Sequence, residues 1–184
     1  GAGGQLGQAC VAVAPSQLRV HGLARAQCDV TDDGALRDCL RRLSPQMVIN
    51  AAAYTAVDAA EGDLHRAQAL NADAPQRLAT LCAEQGIRLV HVSTDFVFDG
   101  AATTPYLTTD TPAPIGVYGE TKLQGERAVL ASGTSHAVVR TSWVYAPQGK
   151  NFMLTMLRLM RERGAVSVVS DQVGAPTAAS SLAR

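Results

Sequence analysis

Short, continuously apolar β-rich runs alternate along this chain with stretches carrying apolar residues at helical spacing, and that alternation limits the fold more than any other feature. Residues 18–23, 47–50, 87–94, 137–144 and 165–170 read as strands. Most are apolar throughout rather than at every second position, the pattern of parallel strands covered on both faces. Between them, Thr31 or Asp32 can cap a helix in which Leu36, Cys39, Leu40 and Leu43 share one face. Leu70, Ala74, Leu78, Leu81 and Cys82 mark a second helix with Gly86 as its stop, and residues 118–130 and 151–163 form two more. Strand–helix–strand succession implies right-handed crossovers and a doubly wound α/β sheet. At 184 residues, 47% of them hydrophobic, the chain can bury a core of that kind as one domain over residues 1–184.

The two ends depart from the pattern. The chain opens on a glycine-rich turn with no strand before it and stops at Arg184, in what reads as the start of another helix. A doubly wound nucleotide fold places its first strand in the middle of the sheet. The sequence is therefore expected to be an excerpt of a longer polypeptide.

Net charge is zero, which argues against a protein that grips long stretches of phosphate backbone and leaves room for a small phosphorylated ligand. No apolar run approaches the roughly 18 residues of a membrane span, so a cytoplasmic protein is expected. Cys10, Cys28, Cys39 and Cys82 lack metal-ligand spacing and read as reduced, mostly buried residues. The histidines His21, His65, His91 and His136 are dispersed and suggest no metal site.

Gly1-Ala-Gly-Gly4-Gln5-Leu6-Gly7 has the spacing of a phosphate-binding turn, in which glycines let the backbone approach a pyrophosphate at a helix amino terminus. A flexible glycine-rich terminus would share that composition. After residues 18–23 no acid stands where a carboxylate would grip the ribose hydroxyls of NAD, whereas Arg25 suits a 2′-phosphate and favours NADPH over NADH. Asp29 and Val30 could line an adenine pocket, or Asp29 could simply cap a loop.

Tyr118-Gly-Glu-Thr-Lys122 opens a helical stretch, and its i, i+4 spacing puts phenol and ammonium on one face. A phenol titrates near pH 10 unaided, and a neighbouring cation draws that value toward neutrality. Alone, the pair is as readily a surface helix contact. Thr94, however, ends the run Leu89-Val-His-Val-Ser-Thr, at the carboxyl end of a strand, where open α/β sheets bind ligands. Its hydroxyl could donate to a substrate carbonyl.

Taken in order, a set of stretches resembles the extended short-chain dehydrogenase/reductase family, in its branch acting on dTDP-4-keto sugars. They are the glycine turn, Asn50-Ala-Ala-Ala-Tyr-Thr-Ala-Val-Asp58, Asn71-Ala-Asp-Ala-Pro75, Ser93-Thr-Asp-Phe-Val-Phe-Asp-Gly100, Val117-Tyr-Gly-Glu-Thr-Lys-Leu-Gln-Gly-Glu126, Arg140-Thr-Ser-Trp-Val-Tyr145 and Asp171-Gln-Val-Gly-Ala-Pro-Thr177. The resemblance implies a Rossmann-like domain, here without its first strand and most of a carboxyl-terminal substrate subdomain. It implies NAD(P)H-dependent reduction of the 4-keto group of dTDP-4-dehydro-L-rhamnose, supplying a cell-surface polysaccharide precursor. Thr94, Tyr118 and Lys122 would be the catalytic triad. Gly1, Gly4, Gln5, Leu6, Gly7, Arg25, Asp29, Val30, Ala52, Ala53, Tyr54 and Thr55 would line the cofactor with Tyr118 and Lys122. Thr94, Asp95 and Trp143 would touch the sugar nucleotide, and Asn71 would lie near the lysine.

The resemblance also implies a homodimer; some members bind Mg²⁺ at a dimer contact, which no residue here places. The family's Ser-Thr-Asp-Tyr reads Ser-Thr-Asp-Phe at Phe96, losing a phenol the chemistry does not require. Two alternatives stay open. One is a related nucleotide-sugar epimerase or dehydratase, although a dehydratase would carry Asp-Glu where Asp95-Phe96 stands. The other is a non-catalytic NADP-binding subunit resembling the regulatory subunit of methionine adenosyltransferase.

Overall fold

A computed structural model describes residues 1–133 and 135–184. In chain order the elements begin with helix α1 (Gln5–Val13), α2 (Asp33–Leu43), strand β1 (Met47–Asn50), α3 (Val57–Ala60) and α4 (Leu64–Gln68). A π-turn (Ala69–Asp73) then leads into α5 (Ala74–Glu84), β2 (Arg88–Thr94) and a 3₁₀ turn (Asp95–Val97). Helix α6 (Val117–Ala131), β3 (His136–Thr141), β4 (Val144–Tyr145), α7 (Phe152–Arg163), β5 (Thr177–Ala178) and α8 (Ala179–Leu182) complete the chain. The elements fall into two compact units, residues 24–140 and residues 1–23 with 141–184.

In the larger unit β2 is flanked by β1 and β3, and β1 runs parallel to β2 in a register that pairs Asn50 with His91. Asp32 caps α2: its Oδ1 accepts from the Ala35 N–H at 3.0 Å, as the sequence predicts. Leu36 and Leu40 from that helix, Leu78, Leu81 and Cys82 from α5, Leu89 from β2 and Val129 from α6 form the buried core. Fully burying an aliphatic side chain of this size contributes roughly 1.5–3 kcal/mol, so this layer holds α2, α5 and α6 to the sheet. Gly86 ends α5 with φ +67°, the left-handed value that favours glycine. All cysteines are free, with Cys39 and Cys82 buried and Cys10 and Cys28 partly so.

Two expected strands do not form. Residues 18–23 make backbone bonds from Gly1 and Ala2 to Leu23 O but no ladder, and residues 165–170 form no ladder and are mostly exposed, with Val169 67% accessible. A strand needs a paired neighbour as well as β-prone residues. The run 137–144 is divided in two: Trp143 takes φ +45°, which breaks the extended backbone between β3 and β4.

In the smaller unit β4 and β5 pair parallel, Val144 with Thr177 and Tyr145 with Ala178. Asn151 caps α7, accepting from the Leu154 N–H at 2.9 Å, and Gly164 closes it at φ +74°. Arg161 and Arg163 sit in the last turn, where cations suit the negative helix end, and Arg158 pairs with Glu162. Among the described residues no helix is long and apolar enough to cross a membrane.

Candidate active site

The carboxyl end of β2 and the first turns of α6 bring Thr94, Asp95, Tyr118 and Lys122 into one unit. Thr94 is buried, and its hydroxyl works in two directions. It accepts from the Phe96 N–H at 3.2 Å, starting the 3₁₀ turn, and donates to Asp95 Oδ1 at 3.2 Å. Phe96 meets the Tyr118 ring edge-on, with centroids 5.5 Å apart. The turn and the helix approach so closely that a Cβ on Gly119 would overlap the Phe96 carbonyl oxygen and come within 3.0 Å of Pro114 Cβ. Burial pushes the Tyr118 phenol above its ordinary value; a hydrogen bond with Thr94 draws it down, and the Asp95 charge pushes it up. Burial likewise raises the Asp95 carboxyl.

Lys122 is 2% exposed, one helical turn past Tyr118. A buried ammonium needs acceptors, and this one donates to Val92 O on β2 at 2.7 Å. The sequence placed the ammonium as the phenol's partner; in the structure its hydrogen bond goes to the strand carbonyl, and Thr94 supplies the hydrogen bond that draws Tyr118 down. Burial draws Lys122 down to about 8, opposed by the Glu126 carboxylate one turn on. Glu126 is itself buried and held by Arg140 through contacts of 2.6, 3.0 and 3.2 Å. His91, 0% exposed, brings Nε2 to 3.5 Å from Lys122 Nζ, while its Nδ1 lies 3.1 Å from Asn50 Nδ2.

Asn71 projects from the π-turn and is fully buried. Its Oδ1 accepts from Tyr54 N at 2.9 Å, and its Nδ2 donates to Tyr54 O at 3.1 Å and Thr121 Oγ1 at 3.3 Å. One amide thus ties the loop after β1 to the helix of Tyr118 and Lys122. In that loop Ala52, Ala53 and Tyr54 are partly buried and Thr55 is exposed, with the Ala52 N–H bonded to Asn50 Oδ1 at 3.1 Å. Arg25 and Asp29 lie in the same unit but engage each other, Nε to Oδ2 at 2.9 Å. Asp29 Oδ1 also accepts from the Thr31 N–H and hydroxyl, so the carboxylate caps its own loop and titrates at about 2. Val30 packs against the core.

The other predicted residues belong to the smaller unit. Gly4 precedes α1, whose first turn has no side-chain cap. A Cβ on Gly7 would overlap Gly1 O and lie 2.6 Å from Ala2 Cα, so no larger residue fits there. Leu6 is partly buried, and Gln5 spends its amide on Lys150 O at 3.2 Å and Asn151 Nδ2 at 2.7 Å. Trp143 is 47% exposed and stacks so tightly on Gly174 that a Cβ there would lie 2.6 Å from the indole Cε2.

The profile of the RmlD substrate binding domain matches residues 1–184. The chain belongs to that family. A dTDP-4-dehydrorhamnose reductase of Mycobacterium tuberculosis (strain CDC 1551 / Oshkosh) is 49% identical over 189 residues, covering 100% of this chain and 62% of the relative. One from Escherichia coli (strain K12) is 46% identical over 155 residues, 84% of this chain and 52% of the relative. Among solved structures, a dTDP-4-dehydrorhamnose reductase from Bacillus anthracis str. Ames in complex with NADP superposes with a TM-score of 0.97 at 36% identity. It covers 100% of this chain and 66% of its own. The RmlD-family chain therefore spans about 62% of the first of these relatives, and its fold is Rossmann-like α/β.

Sequence reasoning missed much of what surrounds Lys122 in this RmlD-family chain. His91 was set aside for want of a metal partner, and its contacts with Asn50 and Lys122 depend on a register that no local pattern reveals. Gly119 and Gly125 lie inside the quoted motif, yet only the packed structure shows each meeting a carbonyl. The glycine cradle at Gly7 and the uncapped start of α1 fit a dinucleotide phosphate. Among the described residues no group of three or more His, Cys, Asp or Glu could hold a metal ion.

Proposed function

We propose that this chain carries the Thr–Tyr–Lys centre of an NAD(P)H-dependent reductase acting on the 4-keto group of dTDP-4-dehydro-L-rhamnose, as its named relatives suggest. The observation that carries the reading is the juxtaposition of Thr94 and Tyr118 with a buried lysine one turn along the same helix. The glycine turn from Gly1 to Gly7 would hold the dinucleotide phosphates, and the Ala52–Thr55 loop, fixed by Asn71, would pass beside the nicotinamide half. Bound NAD(P)H supplies the hydride.

The chain's own residues then handle the oxygen and its proton. Thr94 donates to the ketone oxygen and orients it. Tyr118 gives its phenolic proton to that oxygen as negative charge develops. The Lys122 cation, in a low-dielectric site, favours the phenolate left behind even without touching it. Asp95 and Trp143 would contact the sugar nucleotide. The reading takes residues 1–184 as the dinucleotide-binding domain of a longer, cytoplasmic and homodimeric enzyme. Elimination chemistry has less support, because Phe96 offers no second carboxylate beside Asp95.

NADPH absorbance followed with the dTDP-keto sugar and the full-length protein tests the reading. Tyr118→Phe is expected to lower turnover by about 10²–10⁴-fold, the usual contribution of a positioned general acid. Full turnover by that variant would overturn the assignment.

A further inference from the structure

The proposed mechanism leaves the His91–Asn50 pair without a role, although both residues are buried within the sheet beneath Lys122. Their hydrogen bonds determine where the imidazole proton sits. The Ala52 backbone N–H can only donate, and it points at Asn50 Oδ1 at 3.1 Å. The amide is thereby oriented, and its Nδ2 donor must face His91 Nδ1 at 3.1 Å. Nδ1 is therefore an acceptor. A neutral imidazole with that arrangement carries its proton on Nε2, the atom 3.5 Å from Lys122 Nζ.

Two donors then face one another. An ammonium at Lys122 gains nothing from His91, whereas a neutral amine there can accept the Nε2–H through its lone pair. We propose that His91, its tautomer locked by Asn50 and the Ala52 N–H, is a positioning residue that favours the neutral amine of Lys122 over its ammonium. The inference rests on the reading of Lys122 as part of the catalytic centre.

The other titratable and charged groups disposed around the lysine set the remaining balance. Glu126 on α6 favours the ammonium, and its charge is shared with Arg140 of β3 through the short ion pair. Tyr118 on α6 lies one turn before Lys122. His91 stays neutral because burial and the lysine's charge draw it down to about 3, so it acts by its hydrogen-bonding direction and not as a second cation.

The test needs neither substrate nor cofactor. In the full-length protein, ¹³C-labelled lysine reports Lys122, its signal identified by loss in Lys122→Arg, and ¹⁵N-labelled histidine reports the His91 tautomer, identified by loss in His91→Gln. In the wild type Nδ1 is expected to be pyridine-like and Nε2 pyrrole-like, with Lys122 titrating near pH 8. Asn50→Asp keeps an acceptor for Ala52 and places a second one at Nδ1. It should move the imidazole proton to Nδ1 and raise the Lys122 midpoint by about one pH unit, a typical effect of a changed neighbour on a buried group. His91→Gln, whose amide oxygen can turn to the ammonium, should raise it in the same direction; thermal unfolding identifies a variant that fails to fold.

A pyrrole-like Nδ1 in the wild type overturns the proposal. So does an unchanged tautomer in Asn50→Asp, or a Lys122 midpoint that neither folded variant moves. Because the readout is spectroscopic, it can fail while Tyr118 still proves essential for turnover, or hold if the reductase reading falls.

Discussion

Replacing Gly125 by alanine tests how the helix of Tyr118 and Lys122 is held in place. Gly125 faces the π-turn, where Pro75 offers no N–H to the carbonyl of Asn71 four residues back. A Cβ at Gly125 would overlap that carbonyl oxygen, lie 3.2 Å from Asn71 C and touch Pro75 Cγ at 3.5 Å. Backbone atoms cannot swing aside as a side-chain tip would, so α6 or the π-turn must move. Helix propensity acts the other way, since alanine in place of an interior glycine contributes about 1 kcal/mol. Overpacking of a tight contact typically costs 1–3 kcal/mol, occasionally more, and here the obstructing group is main chain. A net loss of about 1–2 kcal/mol is expected, which for a chain of this size lowers Tm by roughly 2–8 °C.

Urea unfolding followed by far-ultraviolet circular dichroism is the suitable assay. Indole fluorescence would report Trp143, which belongs to the other unit. Because Asn71 ties Tyr54 to Thr121, a displaced π-turn should also weaken cofactor binding in the full-length protein. If Gly125→Ala were as stable as the parent or more so, propensity would have won and the close approach would not constrain the fold.

Two further outcomes follow from the buried charges. Arg140→Leu should destabilise the larger unit by about 3–5 kcal/mol in chemical unfolding, because Glu126 would keep its charge in a buried site without its partner; Glu126→Gln in the same background should recover much of the loss, and an unaffected single variant would contradict the reasoning. Acid should destabilise the protein as pH falls from 6.5 toward about 3: there the unfolded state protonates His91 while the folded state does not, at a cost of up to about 4–5 kcal/mol. Stability should rise with pH between about 8 and 10.5 for the same reason at Lys122, whose folded form releases its proton first. Stability–pH curves for His91→Gln should flatten in the acid window, with the alkaline rise narrowed as the Lys122 midpoint moves up, and an unchanged acid slope would refute the assignment.

Helices were the most legible part of the sequence because their signals are local. Asp32 caps where its side chain suggested, Asn151 caps the helix it was expected to begin, and Gly86 takes the left-handed conformation its place after an apolar helix requires. Strands were legible where a partner exists: residues 47–50 form β1 and residues 88–94 form β2. Residues 165–170 have the same apolar character but no ladder, and the short β4–β5 pair was missed because two-residue strands have no period to read. The site divided along similar lines. Tyr118 and Lys122 could be found by helical spacing and Thr94 by its place at a strand end. The direction of the Lys122 ammonium could not, since it depends on which carbonyl lies beneath α6.

Lys122 also separates what the fold needs from what the chemistry needs. A lysine drawn down to about 8 is less comfortable folded than unfolded at neutral pH, so its burial opposes folding by roughly 3 kcal/mol before any compensation from packing. Val92 O supplies one acceptor, Glu126 part of an opposing charge, and His91 presents a donor where an acceptor would have been more stabilising. A sheet–helix contact selected for stability alone would place an aliphatic residue there, as Leu89 on β2 and Val129 on α6 do in the hydrophobic core. That the helix instead buries a cation at i+4 from a phenol, with its neighbours arranged to leave it only partly satisfied, is the pattern expected where a perturbed pKa serves a reaction. The Tyr118–Lys122 spacing is thus informative because of the energetic cost the fold tolerates to keep it.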